Sequence, residues 1–189
     1  NFKHIYLDMP GFGKSSNNTI LTTFDYASIV RLFLNTIKSD TKIIFGHSFG
    51  GKVATLLNPK TLVLLSSAGI VEEKNAKTLL TIKMAKIFNK FGLGKVTKLL
   101  RSGDVNMMPE NMYATFKNVV DEVFNEEFKK YDGNAILFWG EKDTATTLNS
   151  GKIINSLIIN SKFHSYDDDH YFFLRHSDNI EKTLLGYLE

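Results

Sequence analysis

The sequence predicts an α/β fold: a mostly parallel β-sheet with helices on both faces, carrying an inserted helical segment. Three observations carry that prediction. Short apolar runs bounded by glycine, proline or aspartate alternate with amphipathic stretches of helical period at both ends of the chain. Runs such as TLVLL at 61–65 and AILFW at 135–139 are apolar throughout, as strands covered on both faces must be. Between about Val71 and Tyr131 no strand pattern survives and helical periodicity takes over. The organisation expected is a first part of the core at 1–71, a helical insertion at 72–131 and a second part of the core at 132–189.

The elements follow in order. Lys3 to Leu7 (KHIYL) is β-prone and reads as a short buried strand, closed by Asp8, Pro10 and Gly11. From Asp25 to Ile37, Ile29, Phe33, Leu34 and Ile37 recur at helical spacing behind the caps offered by Thr23 and Asp25. Lys42 to Phe45 reads as a strand, Gly46 to Gly51 as a tight turn, Lys52 to Leu57 as a short helix and Thr61 to Leu65 as a buried strand. In the insertion, Leu80, Met84, Ile87, Phe88 and Phe91 share a helical face. A second helix, with Pro109 near its first turn, carries Met112, Phe116, Val119, Val120 and Val123. The core resumes with the strand Ala135 to Trp139, a helix around 148–157, a strand near 161–166 and a last helix around 178–188.

Composition excludes several function classes. The 189 residues hold no cysteine, which removes thiol catalysis, thiolate metal sites and disulfides. A formal charge of +3 with interspersed signs gives no reason to expect a nucleic-acid partner. No apolar run approaches the roughly 18 residues of a membrane-spanning helix, and no signal peptide is visible. Composition alone therefore points to the cytoplasm. Asn1 is not an initiator methionine, so a segment upstream is expected.

DMPGFGKSS at 8–16 has the look of a phosphate-binding loop, but it fails the pattern. G-x-x-x-x-G-K-[ST] needs glycine where Asp8 stands, and G-x-G-x-x-G needs glycine where Ser16 stands. Gly46-His47-Ser48-Phe49-Gly50 matches G-x-S-x-G in the setting the motif demands, between a strand (KIIF) and a helix (KVATLL). A nucleophile there is lifted clear of the sheet on a sharp turn, where small neighbours at Gly46 and Gly50 are expected to avoid a clash. The amide of Phe49, at the start of the helix, would face a developing oxyanion.

A serine hydroxyl needs a base to take its proton and a carboxylate to orient that base. In this architecture the chain order is serine, acid, histidine. Asp143 follows the AILFW strand and His170 follows the next one. Glu141 and Asp25 compete for the acid. Among the other histidines, His4 and His164 fall in strands, His47 adjoins the serine pointing away from it, and His176 begins the last helix.

On these residues the chain resembles the α/β-hydrolase-fold serine hydrolases that carry a small helical cap. The matching stretches are DMPGFGKSS at 8–16, GHSFGG at 46–51, LVLLSSAGI at 62–70, LFWGEKDTAT at 137–146 and the His170 loop. The resemblance implies an acyl-enzyme mechanism on a small-molecule acyl substrate, with no metal and no organic cofactor. It implies that the insertion at 72–131 is the cap that shapes the pocket, with Met84, Phe88, Met112 and Phe116 as candidate lining residues.

Against that family pattern, a strand ending in a His-Gly loop, which supplies a second oxyanion amide, belongs before Lys3, and the sequence starts after it. The helix after the elbow is short, because Asn58-Pro59-Lys60 leads straight into the next strand. Asp167, Asp168 and Asp169 stand before the base where relatives have small residues, and are expected to be solvated. Cap length and WGEKDTAT are similar to hydrolases of vinylogous diketones, while His47 and Tyr171 depart from that subgroup. A carboxylesterase is the expected class; the alternatives are C–C bond hydrolysis and a non-catalytic ligand-binding relative. Haloalkane dehalogenase or epoxide hydrolase chemistry would need aspartate at position 48.

Overall fold

The computed structural model describes residues 3–71 and 109–188. The chain divides into two compact units, Asn1–Ile20 with Glu73–Lys117 and Leu21–Glu72 with Asn118–Glu189.

The second unit is built on a four-stranded parallel sheet in the order β1-β2-β3-β4, with β1 at Ile43–His47, β2 at Thr61–Leu65, β3 at Asn134–Gly140 and β4 at Ser161–Tyr166. Register runs Ile43 to Thr61, Thr61 to Asn134 and Ala135 to Ser161, so all four strands end on the same edge. Ligand sites of open α/β sheets lie beyond that carboxyl edge. Helix α1 (Thr23–Thr36) precedes β1, α2 (Phe49–Leu57) links β1 to β2, α4 (Asn125–Lys130) leads into β3, and α5 (Leu148–Leu157) links β3 to β4. A 3-10 turn at Phe172–Leu174 and helix α6 (Ser177–Leu188) close the chain. Helix α3 (Glu110–Val119) lies in the first unit as far as Lys117.

Strand side chains alternate between faces, and both faces are covered here, which is why β2 and β3 are apolar throughout. Leu62, Leu64, Ala135, Leu137 and Trp139 pack with Phe124, Phe128, Ile154 and Ile158 on one side. Val63, Ile136 and Phe138 pack with Phe172, Ile180 and Leu184 on the other. Each large side chain buried this way contributes about 1.5–3 kcal/mol.

Three expectations are corrected, and one helix is added. Residues 3–7 form no strand and are exposed: the composition is β-prone, but a strand exists only by pairing, and no ladder among the described residues includes them. The cap of α1 is Thr22, not Thr23; its side chain and the Asp25 carboxylate exchange hydrogen bonds with each other's amides in a capping box. The buried stripe of α1 is Thr23, Tyr26, Ala27 and Val30, leaving Ile29 and Ile37 exposed. The small residues Thr23 and Ala27 let this face approach its neighbours, and apolar spacing alone did not reveal that. Helix α4, which the sequence did not announce, is only six residues long, with Glu126 and Glu127 in its first turn and Lys129 and Lys130 in its last.

In the first unit, the glycines of 8–16 serve backbone geometry. Gly11 and Gly13 have φ of +84° and +51°, and a Cβ at Gly13 would lie 2.3 Å from the Asp8 carboxylate. That carboxylate accepts the Lys14 amide at 2.9 Å, and the Lys14 side chain is exposed. Among the described residues, no helix is long and apolar enough to cross a membrane.

Candidate active site

Strand β1 ends at His47 and helix α2 begins at Phe49, so Ser48 alone turns the chain. It does so at φ +52° and ψ −120°, a sparsely populated conformation that costs on the order of 1–3 kcal/mol and persists only where its surroundings enforce it. The surroundings are backbone groups: Ser48 N–H donates to Leu65 O (3.2 Å), while Ser48 O accepts the amides of Gly51 and Ala68, both at 3.0 Å. Gly46 is required, since a Cβ there would lie 2.5 Å from Gly50 O. Gly50 departs from expectation, because a Cβ there would meet nothing within 4 Å among the described residues. The crowded glycine is Gly51, whose Cβ would fall 2.0 Å from Ser67 Oγ.

Asp143 is buried just past the end of β3, and its Oδ2 lies 2.6 Å from His170 Nδ1. Burial raises a carboxyl pKa, yet here it is outweighed. Hydrogen bonds from His170, the Thr146 amide, the Ser66 side chain and the Ala145 amide bring Asp143 down to about 2. The ionised carboxylate only accepts, so the proton of this contact sits on His170 Nδ1. Oδ1 takes the amides of Ala145 (2.8 Å) and Thr146 (2.9 Å), and the Thr146 hydroxyl lies 2.9 Å from Oδ2 and 3.0 Å from Ser66 O. The competing acids are engaged elsewhere: Asp25 in the α1 cap, Glu141 with the Ser165 hydroxyl on the surface.

The loop carrying His170 crosses the end of β3 at Gly140, where a Cβ would lie 2.1 Å from Asp169 O. Lys142 N–H donates to Asp168 O (2.9 Å), and Glu141 N–H to Tyr166 O (2.8 Å). Of the three aspartates before His170, Asp167 and Asp169 are exposed as expected, while Asp168 is largely shielded. Arg175 pairs with Asp168 and Asp169, Lys142 pairs with Asp167 at 2.8 Å, and the Arg175 hydrogen bonds hold Asp168 well below the usual carboxylate range. Through Arg175, Asp168 and Asp169 tie the loop to the residues that follow it. His47 meets it from the other side: its ring centroid is 4.5 Å from that of His170, and its Nε2 is 3.1 Å from His170 O.

Phe49 holds the first position of α2, its ring edge-on to Tyr26 with centroids 5.1 Å apart. Met112 and Phe116 are half-buried on α3, and Met112 Sδ accepts from Asn17 Nδ2 at 3.3 Å. Met84 and Phe88 lie outside the described residues. His164 bonds the Tyr187 hydroxyl at 3.1 Å, and His176 stacks on Tyr166 with centroids 4.7 Å apart. Thr146 and Ser66 went unnoticed in the sequence, although Asp143-x-x-Thr146 is a legible side-chain-to-backbone turn signal. Also unforeseen was Lys52, fully buried in α2, whose Nζ donates to Val119 O (2.5 Å) and Glu122 Oε2 (3.0 Å).

Comparison with known proteins agrees with this architecture. A family model described as alpha/beta hydrolase fold matches residues 1–61. An uncharacterized hydrolase of Bacillus subtilis (strain 168), YugF, is 27% identical over 192 residues, covering 85% of this chain and 70% of the relative. Among solved structures, an esterase from Exiguobacterium antarcticum is similar at a TM-score of 0.70 and 18% identity, over 95% of this chain and 78% of that one. The enol-lactonase from Burkholderia xenovorans LB400 is similar at 0.69 and 18%, with the same coverage.

Proposed function

The chain has the α/β-hydrolase fold, and on that premise we propose that it is a serine hydrolase of carboxylic esters or related acyl compounds. The observation that carries the reading is the buried Asp143 carboxylate at 2.6 Å from His170 Nδ1, on the same sheet edge as the strained Ser48 turn. Ser48 Oγ attacks the acyl carbon while His170 Nε2 takes its proton. Asp143 fixes the tautomer that leaves Nε2 free to do so and stabilises the imidazolium that forms. The Phe49 amide, at the positive end of α2, donates to the oxyanion. Collapse of the tetrahedral intermediate expels the alcohol, which receives the proton from His170. Water then repeats the sequence on the acyl-enzyme, returning acid and free Ser48.

The test is intact-protein mass after treatment with a fluorophosphonate, alongside hydrolysis of short-chain p-nitrophenyl esters. One adduct mapped to Ser48, absent in Ser48→Ala, together with ester turnover that the same substitution abolishes, is expected. Neither labelling nor turnover, or turnover undiminished in Ser48→Ala, refutes the reading and leaves a ligand-binding protein on a hydrolase fold.

A further inference from the structure

We propose that His47 is a positioning residue: its Nε2–H holds the main-chain carbonyl of His170 and so sets where the base stands relative to Ser48. This rests on the serine hydrolase reading. A carbonyl can only accept, so the 3.1 Å contact requires the proton on His47 Nε2. His47 is the last residue of β1 and the direct chain neighbour of Ser48, whose backbone is fixed by Leu65, Gly51 and Ala68. The bond therefore ties the main chain of the base to the main chain of the nucleophile through one side chain. Asp143 holds the His170 ring at Nδ1, but a ring held at one point still pivots with its backbone. His47 fixes that backbone, and Phe173 and Tyr171, at centroid distances of 4.8 and 5.5 Å, pack against the His47 ring.

Charge favours the same arrangement. Burial, and then the charge of His170, hold the His47 pKa below its ordinary value, so His47 stays neutral when His170 becomes the imidazolium. Two adjacent cations are avoided at the moment a single one must form. A misplacement of about 1 Å in a reacting group costs roughly 100-fold in rate, which sets the scale for losing this tether.

The experiment compares wild type with His47→Gln, His47→Asn and His47→Phe, reading ester kcat and KM, the rate of fluorophosphonate labelling at Ser48, and melting temperature. The Gln amide nitrogen reaches the position of Nε2, the shorter Asn amide does not, and Phe keeps ring volume without a donor. His47→Phe is expected to lose 10-fold to 100-fold in kcat and in labelling rate with KM within twofold. His47→Gln is expected to keep at least tenfold more activity than His47→Asn, a comparison that stands even if His47→Phe is poorly folded. Equal activity of the Gln and Asn variants, or a wild-type rate in folded His47→Phe, overturns the proposal. His170→Ala is run in parallel: if wild type does not label at Ser48, or His170→Ala labels as fast as wild type, it is the hydrolase reading itself that fails.

Discussion

Replacing Lys52 by methionine keeps the aliphatic stem and removes the ammonium, and the structure gives the scale of the loss. Lys52 is 1% exposed, its Nζ sits 3.0 Å from Glu122 Oε2 and 2.5 Å from Val119 O, and the Phe49 and Phe124 rings flank it at 5.7 and 5.6 Å. Burial pushes the Lys52 pKa down, against the pull of Glu122, so desolvation is the larger effect even with the partner present. Breaking a buried pair from one side costs about 3–5 kcal/mol, because the other charge is left uncompensated. Glu122 keeps 22% of its side chain exposed and accepts the Thr23 hydroxyl, which brings the loss for Lys52→Met to the bottom of that range or just below it, about 2–3 kcal/mol. At about 2–4 °C per kcal/mol for a chain of this size, the melting temperature falls by roughly 4–12 °C. Glu122→Gln combined with Lys52→Met removes both charges and should recover at least half of the loss. Thermal melts and urea titrations of the four proteins of the cycle decide it. If Lys52→Met melts within a degree of wild type, or the double variant is as unstable as the two singles added together, the ion-pair argument is wrong.

Asp143→Asn should lower kcat by about 1,000-fold to 10,000-fold with the fold intact, because a neutral amide no longer selects the tautomer with a free Nε2; ester turnover within tenfold of wild type would contradict this. Gly140→Ala drives a methyl against the Asp169 carbonyl and must displace the loop bearing the base, so activity should fall at least 100-fold, against a melting temperature that drops by only a few degrees. Tyr131 donates to Pro59 O (2.9 Å) and Asn134 O (3.1 Å), and its burial raises its pKa from 10.0 to about 12. The folded state then keeps a proton that the unfolded chain loses, so stability falls as pH rises from about 10 to 12, by on the order of 1–3 kcal/mol. Urea midpoints of wild type and Tyr131→Phe across that range check it: the alkaline decline should be shallower in the variant.

Legibility followed the range of the interactions. Strands β2 and β3 were readable because burial on both faces leaves no polar alternation, and the Asp143–His170 contact joins two residues that motif and context had paired. Residues 3–7 misled because β-prone composition says nothing about a pairing partner. The capping residue of α1 shifted by one position because Thr22 and Thr23 are equally good caps on paper, and Asp25 selects the one three residues before it. Lys52 could not be recognised as buried, since its partner Glu122 lies 70 residues along the chain. Nor could His47 be linked to a carbonyl 123 residues away. A spacing rule sees neighbours in sequence; both of these contacts exist only once the sheet has formed.

The site is held mainly by backbone groups, and that has a consequence for which positions tolerate change. Ser48 O gathers two amides, Asp143 Oδ1 gathers two more, Ser66 N–H donates to Phe138 O at 2.9 Å, and the Thr146 hydroxyl reaches Ser66 O. The Ser48 turn, the turn after β2 and the Asp143 loop are thereby one hydrogen-bonded piece. Ala145 contributes to it through its main chain while its side chain is exposed, so substitutions there that preserve the turn leave the carboxylate in place. The positions without that freedom are those where a side chain or its absence does the holding: Gly46, Gly51 and Gly140 by leaving room, Thr146 and His47 by reaching across. Strain at Ser48 is sustained because backbone bonds close around it from Leu65 in β2, from Gly51 in α2 and from Ala68 in the turn after β2, and releasing it would require several of them to break together.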